Sequence, residues 1–319
     1  MLLKKVLLIL LFTMALFSSA IEPYFSKTSG RYYKDGIDNK IINDIRHASK
    51  SIDMAMYYLT NKYITKALIL AHRRGVNVRI VTDDKKIKST KYRELIRANI
   101  KVVSDNNPKA LMHNKILIID HSIVWIGSGN FTVYAFYRNH DNFLRIADKD
   151  IAKYYEQKFI KLYNNDSNPT KPYLSKNIEI YFAPDSNIEK RLLARINHAK
   201  YSIYFLAYAF TNQQIAKALL EAHKRGVVVK GVFDKAQDKY QKYSRYKWLK
   251  SKGVAVKYDK NRFKLHDKVI IIDQKVVVTG SYNFTNKANK TNAENIMVIK
   301  SSVVAKSYLN EFEKIYDKK

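Results

Sequence analysis

The chain carries one long pattern twice. Residues 113–130 read HNKILIIDHSIVWIGSGN and residues 266–283 read HDKVIIIDQKVVVTGSYN. Both satisfy H-x-K-x4-D-x6-G-S-x-N with every spacing kept. The match extends upstream, where AHRRGVNVRIVTDD (71–84) answers AHKRGVVVKGVFDK (222–235). Gly75 and Gly226 lie 151 positions apart, as do Asp83 and Asp234, whereas His113 and His266 lie 153 apart. The second copy therefore gains two residues in between. A repeat of about 150 residues is far longer than a solenoid unit. With strands and helices alternating through both copies, it reads as a duplicated α/β domain. Two copies of one reactive cluster suggest a single site built from two halves.

The local signals place the motifs. Ile41, Ile42, Ile45 and Ala48 recur at helical spacing, and Ser51–Tyr58 alternates as a strand does. Asn61 is placed to cap a helix carrying Ile64, Ala67, Leu68 and Ala71, which stops at Arg73-Arg74-Gly75. A strand over 76–81, a lysine-rich helix over 91–98 and a strand at 101–103 lead to the first motif. Residues 21–36 are polar, aromatic and give no clear element. Helices over 151–162 and 304–316 close the two copies. The polar, proline-punctuated stretch NNDSNPTKP (164–172) marks the boundary. The expected division is 1–20, 21–165 for the first repeat and 166–319 for the second.

Residues two apart on a strand face the same side. His113 thus projects with Lys115, and His266 with Lys268. An imidazole beside a fixed cation suits an anionic substrate: the lysine holds a phosphate oxygen while the histidine attacks phosphorus or moves a proton. Ser128, Asn130, Ser281 and Asn283 follow glycine turns and are placed to add hydrogen bonds to phosphate. One such cluster would be weak, since H-x-K on a strand is usually an accident of surface or packing. Two, at identical long spacing in a duplicated scaffold, reverse that weighting.

Both segments resemble the HKD signature of the phospholipase D superfamily, and the resemblance covers nearly all of the chain after its first residues. It is strongest in the second half. There YFAPDSN, AYAFTNQQIAKALLEAHKRGVVV, HDKVIIIDQKVVVTGSYNFT and NAENIMVI look like the small secreted bacterial nucleases of that superfamily. Those nucleases carry one motif per chain and dimerise, and this chain looks like a fusion of two such units. The resemblance implies two mixed sheets flanked by helices, packed about a pseudo-twofold axis with the active site between them. It further implies a covalent phosphohistidine, with His113 as nucleophile and His266 as acid and base, and Lys115, Lys268, Asn130 and Asn283 around the pentacoordinate phosphorus. Asp120 and Asp273 complete the signature in a mainly structural role. No metal or other cofactor is implied, and no acidic or cysteine-rich metal cluster stands out in the chain. Asp141 and Glu294 each lie fourteen residues past the motif glycine and precede an asparagine. They are expected to orient the imidazoles, with Glu294 assigned to His266. Of the remaining histidines, His140 neighbours Asp141 but reads as a solvated loop residue.

Composition bears on the substrate. The formal charge is +30, which favours phosphate-bearing partners, nucleic acid or an anionic membrane surface. An AT-rich coding bias also inflates lysine. From Lys239 to Lys264 cations alternate with aromatics (Lys239, Tyr240, Lys242, Tyr243, Arg245, Tyr246, then Arg262, Phe263, Lys264). Such a stretch neutralises a nucleic-acid backbone and stacks on bases; for 243–249 an amphipathic helix with its rings in the core is the competing reading. The halves are compact, without a long insertion for a lipid-binding rim. The favoured expectation is a metal-independent nuclease. The alternatives are a phospholipase D on membrane phospholipid and a non-catalytic nucleic-acid-binding protein, and the two intact motifs argue against the latter. Fusion of two halves removes the need for a partner chain, so a monomer with an internal pseudo-dimer is expected. Lys4-Lys5, the apolar run Val6–Phe17 and Ser18-Ser19-Ala20 have the order of a secretory signal. The run is short for a membrane span. A secreted or periplasmic protein is expected, or one anchored by an uncleaved segment.

Overall fold

The computed structural model describes residues 21–30, 32, 33 and 35–318. The expected signal segment lies outside them. The first repeat runs β1 (Ile21–Phe25), α1 (Ile37–His47), β2 (Ser51–Met56), α2 (Lys62–Arg73), β3 (Asn77–Thr82), α3 (Thr90–Arg97), β4 (Lys101–Ser104), β5 (Lys115–Ile119), β6 (Ile123–Gly127), α4 (Val133–Tyr137), β7 (Asn142–Ala147) and α5 (Lys149–Tyr163). The second runs β8 (Tyr173–Leu174), β9 (Ile178–Ala183), α6 (Ile188–His198), β10 (Ser202–Ala207), α7 (Gln213–Lys224), β11 (Val228–Phe233), α8 (Lys235–Tyr240), α9 (Tyr246–Ser251), β12 (Ala255–Tyr258), β13 (Lys268–Ile272), β14 (Val276–Gly280), α10 (Asn286–Lys290), β15 (Glu294–Lys300) and α11 (Ser302–Tyr316).

Each repeat contributes one mixed sheet. The orders are β1-β7-β6-β5-β2-β3-β4 and β12-β11-β10-β13-β14-β15-β9-β8. The motif strands β5 and β13 hold the same central place, antiparallel to β2 and β10 respectively, with Lys115 opposite Met56 and Lys268 opposite Ala207. Both are buried along their whole length, which explains the unbroken runs KILII and KVIII: each strand is covered on both faces, so no polar alternation survives. The stretch 21–36, which gave no element in the sequence, begins with β1. This strand pairs with β7 as β9 pairs with β15. Pro23 is tolerated there because β1 is an edge strand.

Helix signals act as their chemistry dictates. Asn61 accepts from the backbone of Tyr63 and Ile64, and Asn212 accepts from Ile215. Gly75 and Gly226 take φ of +91° and +89° at the matching helix ends, a conformation cheap only for glycine. The apolar faces of α2 and α7 bury Ile64, Leu68, Ile215 and Leu219, at about 1.5–3 kcal/mol for each such side chain. The stretch 243–249 splits between its two readings: in and beside α9, Tyr246 and Leu249 are buried while Tyr243 stays exposed.

The two sheets share one core. Ile118 and Ile146 of the first and Ile180, Leu206 and Ile271 of the second belong to a single apolar cluster with Tyr155 and Phe159 of α5 and Tyr308 and Phe312 of α11. Two short parallel bridges then stitch the repeats together, Met112 with Ala293 and His140 with Leu265. Each bridge ends beside a motif histidine.

Candidate active site

The bridges fix the backbone of both histidines. His113 N donates to Ala293 O at 2.9 Å, and His266 N donates to His140 O at 2.8 Å. The residue after each acceptor is a carboxylate, Glu294 and Asp141, so each carboxylate meets the histidine of the other repeat. His113 Nδ1 donates to Glu294 Oε2 at 2.8 Å, and His266 Nδ1 donates to Asp141 Oδ1 at 2.7 Å. The expected assignment of Glu294 to His266 is therefore corrected: the partners are crossed, because the pairing is set by the bridges between repeats and not by order along the chain. Both carboxylates are fully buried, and both imidazoles nearly so. With Nδ1 engaged, Nε2 of each ring is left for chemistry.

Ser128 and Ser281 are corrected as well. Expected among the phosphate ligands, both are buried with no exposed surface. Ser128 Oγ donates to Asp141 Oδ1 at 2.7 Å, and Ser281 Oγ donates to Glu294 Oε2 at 2.6 Å. Each also accepts from the backbone N–H of Asn142 or Asn295 at 3.0 Å. Strands β7 and β15 lie directly against the ends of β6 and β14, so these hydroxyls brace the carboxylates. The glycine before each serine makes this approach possible. At Gly127 and Gly280 a Cβ would sit 2.1 and 2.2 Å from the carbonyls of Asn142 and Asn295.

Further bonds cross between repeats. Asn142 Nδ2 donates to Asp267 Oδ1 at 2.6 Å, and Asn295 Nδ2 donates to Asn114 Oδ1 at 2.8 Å. The variable residue of each H-x-K thus anchors the asparagine that follows the opposite carboxylate. Sequence reasoning left Asn114, Asn142, Asp267 and Asn295 out of the site. The recurring Asp-Asn and Glu-Asn pairs were the available signal.

Lys115 and Lys268 sit on the same side as their histidines. Their ammonium groups donate to the carbonyls of His113, at 2.6 Å, and of His266. Tyr57 and Tyr208 pack edge-on against His113 and His266, at 5.3 and 4.7 Å between ring centres. Asn130 and Asn283 stand at equivalent positions, and the side-chain oxygen of each is buried without a protein partner, so amide hydrogen-bonding capacity is free for a ligand.

Burial and like charge shape the ionisation. Burial pushes Lys115 down to about 7 and Lys268 down to about 8; the Lys268 charge lowers Lys115 further, and both lysines lower His266. Burial lowers both imidazoles despite the carboxylates beside them. For Asp141, burial acts upward but the His266 and Lys268 side chains outweigh it, holding the carboxyl below its usual range. Around His266 the arrangement at neutral pH is an ionised Asp141, a neutral imidazole protonated on Nδ1 and lysines poised to gain or lose a proton.

Asp120 and Asp273 lie elsewhere. They follow the far ends of β5 and β13, roughly 16 Å along the strand from the lysines by strand rise. Asp120 accepts from the backbone N–H of Ser49, Lys50 and Ser51 at 2.8–3.0 Å. Asp273 does the same for Lys200, Tyr201 and Ser202 at 2.7–3.2 Å. Burial works against ionisation there, yet these donors outweigh it and lower both carboxyls. Away from the histidines and lysines, they anchor the loops before β2 and β10.

Two other expectations change. His140 is not a solvated loop residue; it is 8% exposed, and neither ring nitrogen has a hydrogen-bond partner among the described residues. Its Nε2 lies 3.7 Å from Asp259 Oδ1. An acidic cluster also exists: Asp83, Asp84 and Asp105 bring carboxylate oxygens within 4.8 Å of one another at the ends of β3 and β4. Burial and the Asp83 charge push Asp105 up to about 6.

Comparison with known proteins bears on the family and the fold. A family model described as cardiolipin synthase, PLD-like domain, matches residues 41–163 and 192–316. A phospholipase D of Rickettsia bellii (strain RML369-C) is 43% identical over 131 residues, 41% of this chain and 65% of that protein. A mitochondrial cardiolipin hydrolase of Xenopus laevis is 35% identical over 129 residues, 40% of this chain and 60% of that protein. The matched segments thus span less than two thirds of these relatives. A phosphatidylserine synthase of Haemophilus influenzae Rd KW20 superposes over 93% of this chain and 86% of its own with a TM-score of 0.71. At 12% identity that likeness concerns the fold alone.

Proposed function

Since this chain belongs to the PLD-like family, we propose that it is a phosphodiesterase working through a covalent phosphohistidine, with nucleic acid as its substrate. The observation that carries the chemistry is the crossed pair of buried histidine–carboxylate contacts flanked by Lys115 and Lys268. Bland packing does not bury two cations beside two imidazoles. A phosphodiester anion entering between them supplies the missing counter-charge.

His113 Nε2 attacks phosphorus, forming a P–N bond as the P–O bond to the leaving group breaks. His266, which takes up a proton when the anion binds, gives it to the departing oxygen. In the second step His266 removes a proton from water, the water oxygen attacks phosphorus, and the P–N bond breaks to restore His113. Lys115, Lys268 and the amides of Asn130 and Asn283 hold the charge that builds on the equatorial oxygens. Glu294 and Asp141 fix the tautomers and stabilise the cations. The steps use protein side chains throughout, so activity is expected to persist in a chelator.

Nucleic acid is favoured by the rim of the site, where Lys86 lies over Tyr57 and Tyr58 and Lys264 over Tyr208: cations and ring faces suit phosphates and bases together. The second reading, a phospholipid diester, is favoured by the names of the rickettsial and Xenopus relatives. We further propose export through residues 1–20 and action as a monomer, with both half-sites supplied by one chain. The test is hydrolysis, in EDTA, of single- and double-stranded DNA, RNA and phospholipid vesicles by protein lacking residues 1–20. Cleavage of nucleic acid is expected. Release of phosphatidic acid without nucleic-acid cleavage would replace the substrate assignment, and loss of all activity in EDTA would remove the mechanism.

A further inference from the structure

The catalytic groups are nearly symmetric, but the two flanks of the site are not. Beside the second repeat, at the ends of β11 and β12, lies an open groove of about 980 Å³. Its cations are Lys235, Lys239, Lys250, Lys257, Lys260 and Arg262. All six are exposed, and none forms an ion pair among the described residues. Two buried carboxylates, Asp234 and Asp259, also line the groove, and the six exposed cations outnumber them, a balance that invites a polyanion. Tyr240, 87% exposed, and Phe263 offer ring faces on the same lining.

The groove leads to the catalytic centre. Residues 259–263 form one wall, three positions before His266 in the chain. Asn261 Nδ2 ties that wall to the first repeat by donating to Arg138 O at 2.8 Å. Phe263 meets Tyr134 edge-on at 5.9 Å, and the Arg138 guanidinium lies 4.5 Å from the Tyr134 ring and 5.3 Å from Phe263. Cations and open rings therefore continue from the groove across the seam.

The opposite flank keeps cations at Lys86, Lys88 and Lys109 but differs at four positions of this track. By the repeat, Ala110 stands for Phe263, Lys287 for Tyr134 and Thr291 for Arg138. Asp84 stands where the groove has Lys235 and joins the cluster with Asp83 and Asp105. Asp83 and Asp105 have counterparts in the groove lining, Asp234 and Asp259, so the carboxylate that sets the flanks apart is Asp84, which repels a phosphate chain where Lys235 attracts one.

We propose that the groove seats a single nucleic-acid strand running away from the scissile phosphate on the second repeat's side only. The protein then needs several nucleotides on one side of the bond it cuts and few on the other. This rests on the nucleic-acid reading above. Single-stranded substrate follows from the rings: an unpaired base stacks on Tyr240 or Phe263, whereas a base inside a duplex keeps its faces covered.

The test is single-hit cleavage of oligothymidylate labelled at one end or the other, with bis(p-nitrophenyl) phosphate and cardiolipin vesicles run beside it. Cuts are expected to reach close to one labelled end and to stop several nucleotides short of the other. Equal approach to both ends would overturn the one-sided groove while leaving the nuclease reading intact. Hydrolysis of the aryl diester or of cardiolipin with no cut in the oligonucleotide would remove both. In the double variant Lys239→Ala/Arg262→Ala, both side chains being exposed, cuts should spread toward the protected end. The salt dependence of oligonucleotide binding, log K against log salt, should flatten by about 1.4, at ~0.7 per lost phosphate contact on a single strand. An unchanged ladder or an unchanged slope would overturn the assignment.

Discussion

Removing the charge of Glu294 should impair the chemistry of His113, a residue 181 positions away in the other repeat. In Glu294→Gln the volume is kept. One carboxylate oxygen now accepts from both His113 Nδ1 and Ser281 Oγ, and the other accepts from Asn292 Nδ2. An amide cannot accept on both sides. Its NH2 must face either the imidazole, which then loses the Nδ1 proton and the free Nε2 lone pair, or the Asn292 amide, donor against donor. A hydrogen bond to a charged group is worth ~1.5–3 kcal/mol, or ~10- to 150-fold in rate, and a wrong tautomer extends the loss toward ~10⁴-fold. Asp141→Asn should do the same to His266. The assay is pre-steady-state release of p-nitrophenol from an aryl phosphodiester, whose leaving group needs no acid. Glu294→Gln should follow His113→Asn and lose the burst. Asp141→Asn should follow His266→Asn, keeping a burst but slowing release of the phosphoenzyme. If Glu294→Gln instead behaved as His266→Asn does, the crossed pairing would be refuted whichever histidine attacks.

Three further outcomes follow from the geometry. With Lys115 at about 7 and Lys268 at about 8, kcat/KM should fall as pH rises through these values and the ammonium charge is lost. It should fall again in acid as the lowered imidazoles of His113 and His266 protonate. In kcat the alkaline limb should move to higher pH, because bound phosphate stabilises the ammonium form; coincident limbs would contradict the placement of the lysines on substrate. Asp120→Ala and Asp273→Ala should each lower stability by about 2 kcal/mol through the orphaned backbone donors, with kcat on the folded fraction retained, measured by urea unfolding beside turnover. Gly127→Ala should destabilise by more than ~2 kcal/mol, since its φ is +154° and the added carbon meets the Asn142 carbonyl; a wild-type melting temperature would refute that contact.

The sequence made the halves legible and hid how they meet. Spacing alone revealed the duplication, the placement of His113 with Lys115 and of His266 with Lys268, and the caps at Asn61 and Gly75, because those depend on local periodicity. The crossed carboxylates depend on the bridges Met112–Ala293 and His140–Leu265, which no periodicity encodes. Ser128 and Ser281 misled for the same reason: a serine after a glycine turn looks free until β7 or β15 is laid against it. Asp105 joins Asp83 and Asp84 only through the parallel pairing of β3 and β4. His140 occurs in one copy alone, and its counterpart Ala293 gives no hint that the position bridges two repeats. The first strand was recoverable: Ile21-Glu22-Pro23-Tyr24-Phe25 answers Ile178-Glu179-Ile180-Tyr181-Phe182, but Pro23 and the polar residues after it obscured the match.

The central claim is one active site, assembled from both repeats, that cuts a phosphodiester through a histidine adduct. Alkaline quenching during turnover followed by peptide mapping tests it most directly. The expected result is phosphoryl adduct on His113 alone, accumulating in His266→Asn and absent from His113→Asn. Turnover with no adduct on either histidine, or adducts on both at equal yield, would contradict it.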